Sequence, residues 1–176
     1  MVAVWTSKRT TTRLRLDNTT MGMVSAACSP QQLGKWGEDR AAEWLSDHGF
    51  TIVERNWRFQ GGELDIIATT ELRDCEPVDG ALGKAGGSSV SAVLRDRQRD
   101  SRVACVVVEV KTRRTQLFGG GIEAITRRKQ RTLRRGMGEW LRAHPRMYSQ
   151  VIRIDLIDIA VDVPRACVLE HFEEVA

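Results

Sequence analysis

Cysteine is scarce in this chain, and what there is does not pair in sequence. Cys28, Cys75, Cys105 and Cys167 form no C-x-x-C unit and have no histidine ladder nearby, so neither a zinc site nor a disulfide framework is indicated. Histidine is equally sparse. His48, His144 and His171 are scattered, and each is expected at the surface or a helix end, with no assigned role. A secretory signal is missing as well, because Asp17-Asn18-Thr19-Thr20 falls where its apolar core would lie. Export is therefore not expected, and a cytoplasmic, reducing compartment is. The glycine loop Gln116-Leu117-Phe118-Gly119-Gly120-Gly121 has neither G-x-G-x-x-G nor Walker spacing, which gives nucleotide binding little support.

What remains is enough for one domain with a surplus: 176 residues with a formal net charge of +4 and a pI of about 9.1. The surplus lies in two places. Residues 1–29 are rich in Thr, Ser and Arg and read as a disordered basic arm, and Met21 or Met23 could be the true start. Residues 71–102 hold Pro77, scattered Gly and Ser, and balanced charges, and read as a flexible insertion in a domain spanning 30–176.

The most informative stretch is Val106-Val107-Val108-Glu109-Val110-Lys111-Thr112-Arg113-Arg114, a β-branched run broken by an acid and a base. Alternation along a strand puts Glu109 and Lys111 on one side. A salt bridge on a solvated face would explain them equally well, were it not for a second strand upstream. In Gly61-Gly62-Glu63-Leu64-Asp65-Ile66-Ile67-Ala68, Glu63 and Asp65 again share a side. If the two strands are neighbours, Asp65 and Glu109, with Glu63 beside them, offer hard oxygen ligands to Mg²⁺ or Mn²⁺, and Lys111 stands next to any attacking water.

An acid on one strand followed by Glu-x-Lys on the next is the signature of the PD-(D/E)xK nucleases. The resemblance is closer still to the YraN family, carried by Gly37-Glu38-Asp39-Arg40-Ala41-Ala42-Glu43-Trp44-Leu45, Asn56-Trp57-Arg58, Gly62-Glu63-Leu64-Asp65-Ile66-Ile67-Ala68 and Val108-Glu109-Val110-Lys111-Thr112-Arg113, with Phe118-Gly119 and Lys129-Gln130 in order. That family in turn resembles the archaeal Holliday-junction resolvases. The resemblance implies a nuclease-like fold and a catalytic set of Glu38, Asp65, Glu109 and Lys111. It also implies a possible homodimer, because cutting a junction needs two active sites.

The remaining pattern supplies the frame. A helix is expected from Gln31 to Asp47, burying Leu33, Ala41, Trp44 and Leu45, with Glu38 at the border of that stripe and Gly49 as its stop. A hairpin follows through Phe59-Gln60-Gly61-Gly62. Thr126 caps a second helix that runs to Ala143 and is stopped by Pro145. Its first turns carry Arg127, Arg128, Lys129, Arg131, Arg134 and Arg135 around the neutral Gln130, more bases than a solvated face needs. Together with Arg113 and Arg114 they are candidates for phosphate contact, Lys129 and Gln130 nearest the reactive group. Residues 151–159 and 168–172 make two further strands, the second a final edge. Arg153 and Asp155 are expected to form a salt bridge or serve sheet packing. The order α-β-β-β-α-β-β is an α/β, restriction-endonuclease-like arrangement, a mixed sheet between helices. Two functions stay open: a metal-dependent nuclease acting on DNA, branched or otherwise structured, and a binding module of the same fold that does not turn over.

Overall fold

The computed structural model describes residues 11–16, 28–71, 103–114, 125–147, 151–162 and 166–175. Its elements are β1 (Thr11–Leu16), α1 (Pro30–Asp47), β2 (Phe50–Phe59), β3 (Gly62–Glu71), β4 (Val103–Arg114), α2 (Arg127–Ala143), β5 (Val151–Asp162) and β6 (Ala166–Phe172). The strands form one sheet in the order β1-β6-β5-β4-β3-β2. β2, β3 and β4 are an antiparallel meander, β4 and β5 run parallel, and β5, β6 and β1 are again antiparallel. The crossover from β4 to the parallel β5 contains α2, as a parallel connection requires.

The alternation of β4 sorts the two layers. Ala104, Val106 and Val108 belong to the core under α1, with Ala41, Trp44 and Leu45, while Cys105 and Val107 belong to the core under α2, with Leu133, Met137 and Trp140. Local signals agree with this frame. Ser29 and Gln32 close a capping box on α1, Gly49 beyond its end has φ 84°, and Thr126 caps α2 through the Lys129 N–H. A Cβ on Gly37 would lie 1.7 Å from Thr112 Oγ1, so α1 rests directly on β4 at that turn.

The structure corrects three expectations. Part of the arm is ordered: Thr11–Leu16 pairs antiparallel with β6, from Thr11 opposite Phe172 to Leu16 opposite Cys167. β6 is therefore not the sheet edge, and the element order begins with a strand. The physical reason is the open edge that β6 would otherwise present, which a strand-compatible segment can cover. The third correction is His171, which is 3% exposed and packs between Trp44 and Phe50. The insertion at 72–102 and the loop at 116–121 lie outside the described residues. Its two ends meet, since Glu71 pairs with Val103.

Candidate active site

The pairing of β3 with β4 runs from Glu71 opposite Val103 to Ile66 opposite Val108 and goes no further, while β4 continues beside β5 as far as Arg114. The sheet splits at this point, and Asp65 and Glu109 are the next residues on either side. The chain is already irregular here. Leu64 packs under α2 and Ile66 under α1, although regular alternation would put them on one face, and Asn56, beside Asp65 in the register, has φ 55°. Asp65 is thereby turned into the split. Its Oδ2 accepts the Val110 backbone N–H at 2.8 Å, replacing the ladder bond that β3 no longer supplies.

Glu109 follows Cys105 and Val107 on the α2 face. Its Oε1 lies 2.7 Å from Lys129 Nζ, so the third residue after the α2 cap reaches back to the strand. Its Oε2 is buried and has no hydrogen-bond partner among the described residues. Burial pushes the Asp65 carboxyl up to about 7, the Glu109 charge adds to the shift and Glu38 adds less; the Val110 N–H and Lys129 pull the other way. Two acids held this close and this dry favour a cation between them. A buried, unpartnered carboxylate oxygen costs folding energy, which a hard divalent ion with oxygen preference would offset. The chemistry of the pair fits such an ion.

The other expected residues divide. Glu38, on the turn that Gly37 seats against Thr112, acts on Asp65 electrostatically. Lys111 lies two residues beyond Glu109 and is exposed. Glu63 does not join the acid pair. The hairpin register sets it opposite Arg58, whose Nε it meets at 3.2 Å, and among the described residues no group of three or more Asp, Glu, His or Cys side chains is placed to hold an ion. Arg113 pairs with the nearly buried Asp158 of β5, and Arg114 donates to the Cys28 carbonyl at 2.7 Å. Gln130 donates to the Val175 carbonyl at 3.0 Å, which ties α2 to the C-terminal segment. Arg127, Arg128 and Arg131 are exposed.

Sequence reasoning overlooked three contributors: Asn56, which re-aims the strand beside Asp65; Asp158, which fixes Arg113; and the Lys129 contact with Glu109. Asn56 had a signal, an Asn inside a strand run, where only a left-handed residue or a bend would be at home. Asp158 also had one, as an acid that breaks the apolar alternation of β5.

A mixed sheet between two helices, with an acid pair where two strands part, is an α/β fold of the restriction-endonuclease-like class. The chain belongs to the uncharacterised protein family UPF0102, the YraN family its motifs resemble, whose family model matches residues 37–159. A UPF0102 protein of Kineococcus radiotolerans is 32% identical over 139 residues, 79% of this chain and 88% of that protein. Another, from Mycolicibacterium vanbaalenii, is 33% identical over 148 residues, 84% of this chain and 96% of that protein. Among the described residues no helix is long and apolar enough to cross a membrane.

Proposed function

We propose that this protein is a divalent-metal-dependent nuclease that hydrolyses phosphodiester bonds in DNA. The observation that carries the proposal is the Asp65–Glu109 pair at the strand split, with Glu109 Oε2 buried and unpartnered and the Asp65 carboxyl raised to about 7. Such a pairing of crowded acids and perturbed titration marks functional sites more often than structural ones. Asp65 and Glu109 would hold Mg²⁺ or Mn²⁺, which when bound supplies Lewis-acid charge at a phosphate and lowers the pKa of water.

The chain's own groups have distinct parts. Val110 fixes the Asp65 carboxylate through its N–H, and Lys129 holds Glu109 and balances its charge. Lys111, exposed beyond Glu109, is free to meet the negative charge that develops on a reacting phosphate. Glu38 assists proton transfer from the edge of α1. Arg127, Arg128 and Arg131 face solvent and bind phosphates away from the reacting one.

One observation favours the second reading, a binding module without turnover. Glu63 is engaged by Arg58, which leaves two acids where three were expected. A labelled panel of linear, nicked, flapped and four-way DNA separates the readings. A nuclease cuts at least one member with Mg²⁺ or Mn²⁺ and none with EDTA; tight binding without cutting in either metal leaves the binding module.

A further inference from the structure

We infer that the DNA is double-stranded along the protein and that one of its phosphate backbones lies lengthwise on α2, seated on the bare helix backbone at Gly138 between Arg131, Arg134 and Arg142. This rests on the reading of the site as one that acts on DNA.

α2 contains two interior glycines, and they differ in what surrounds them. Glycine in a helix interior is unfavourable relative to alanine, so each needs a reason. Gly136 has one within the chain: a Cβ there would stand 2.6 Å from Phe59 Cε1 and 2.9 Å from Leu64 Cδ2, so it lets α2 settle onto the β2–β3 hairpin. Gly138 has none. A Cβ there would meet only Arg142 Nη2, at 3.8 Å, an ordinary contact. Nothing in the described chain requires this position to be bare, which points to a close approach from outside.

The surroundings of Gly138 say what approaches. At 100° per residue Arg131, Arg134 and Arg142 lie within about 80° of one another around the helix, on the side opposite the buried Leu133, Gly136 and Trp140, and Gly138 falls in the middle of them. Among the described residues no carboxylate pairs with these three guanidiniums; the one acid of α2, Glu139, is taken by Arg135. A row of unneutralised guanidiniums around the half-buried Gly138 backbone suits a line of phosphates. The row runs from Arg127 to Arg142, roughly 22 Å at 1.5 Å per residue.

Two further features select duplex over single strand. Single-stranded binding draws on aromatic platforms for the bases, and the sole aromatic of α2, Trp140, is fully buried with its Nε1 donating to Glu54 at 2.6 Å. A straight, rigid row also matches phosphates held at fixed spacing better than a flexible strand. Lys129, near the start of the helix, touches Glu109. The row therefore leads away from the acid pair, and the gripped duplex arm lies to one side of the bond at the site.

The test is binding measured by fluorescence anisotropy in EDTA, compared at one salt concentration and repeated across a salt series, with a blunt duplex and its single strand as separate probes. Gly138→Ala and Gly138→Leu are compared with the wild type, each with its melting temperature, and Arg134→Gln/Arg142→Gln is included as a variant that leaves the core untouched. We expect duplex to bind at least tenfold tighter than single strand. Gly138→Leu should melt no lower than wild type, because leucine favours helix over glycine, yet bind duplex about tenfold more weakly. Gly138→Ala should bind within threefold of wild type. The double arginine variant should lose at least tenfold and flatten the slope of log K against log salt by roughly two units, about 0.9 for each phosphate contact. Gly138→Leu or the arginine variant binding duplex as tightly as wild type, or single strand bound as well as duplex, would overturn the inference while leaving the DNA reading in place. Neither probe bound by wild type would overturn both.

Discussion

Two acidic clusters in this molecule, Asp155 fully buried and Asp65 with Glu109 half-buried, are treated in opposite ways. Asp155, on β5, has both carboxylate oxygens occupied. Oδ2 lies 2.9 Å from Arg153 Nη2 and from His171 Nε2, and Oδ1 accepts the Glu174 N–H at 3.1 Å. Arg153 in turn reaches Glu173 at 3.4 Å and sits over the Phe50 ring. The Asp65–Glu109 pair, at the split between β3 and β4, has one backbone N–H and one lysine for two acids, and a buried oxygen with no partner among the described residues. The first cluster joins the C-terminal segment to the sheet and α1. The second spends folding stability on an arrangement that only a further positive charge completes. Asp155 therefore reads as structure, and the Asp65–Glu109 pair as a site.

The contrast can be broken from either side. Asp65→Asn or Glu109→Gln should have the largest effect on chemistry, abolishing metal-dependent DNA cleavage, because an amide cannot replace a charged oxygen ligand. Melting should hold level or rise, since like-charge crowding is relieved. Cleavage that persists in either variant would move the site elsewhere.

Asp155→Ala should do the reverse to stability. It strands Arg153 and His171 in the interior, a loss of about 3–5 kcal/mol by the usual cost of removing one partner of a buried pair, or roughly 8–16 °C in melting temperature. Cleavage per folded molecule should be unchanged well below that melting point. A fall of under about 3 °C would show that the Asp155 cluster is as dispensable as surface ion pairs are.

Lys111→Ala should slow cleavage by about 10²–10³, the typical loss of one preorganised charge, with metal affinity nearly intact. Glu38→Gln should cost less. Equal losses in metal affinity and rate for Lys111→Ala would assign the lysine to holding the acid pair and not to the phosphate.

The remaining effect is a pH dependence. The folded Asp65 carboxyl titrates at about 7 against 3.8 for the ordinary group, mainly because it is buried and secondly because Glu109 is beside it. Between those values the folded state holds the proton that the unfolded state has released. The associated stability is present in full below about 3.8 and is lost as pH rises through about 7. In EDTA, wild type should therefore lose stability relative to Asp65→Asn between pH 4 and 7, and the difference should be constant above 8. Parallel curves across that window in urea unfolding would remove the raised titration from the account.

Much of this was legible in the sequence wherever a residue's role depends on its near neighbours. Thr126 announces the start of α2, Gly49 the end of α1, Gly61 the hairpin turn, and the Asp65 and Glu109 strands their acids. Roles set by distant partners were not. Arg13-Leu14-Arg15-Leu16 does alternate as a strand should, but four residues are too short to stand out, and their partner β6 lies some 150 positions on. His171 looks like any surface histidine until α1 lays Trp44 against it. Glu63 and Asp65 seem to share a face by spacing, and only the irregularity beside Asn56, with Arg58 across the hairpin, parts them. Lys129 is expected from the sequence to lie near the reactive phosphate, but its contact with Glu109 appears only when α2 crosses back to β4.

The central claim is that the incomplete acid pair is completed by a divalent cation, and melting with and without Mn²⁺ tests it without reference to activity. A ligand that binds only the folded state raises its stability by RT ln(1 + [L]/Kd), about 2.7 kcal/mol at a hundredfold excess over Kd. The account predicts a rise of several degrees for wild type and for Lys111→Ala, and none for Asp65→Asn or Glu109→Gln. No rise in wild type at millimolar Mn²⁺, or an undiminished rise in Asp65→Asn, would contradict it.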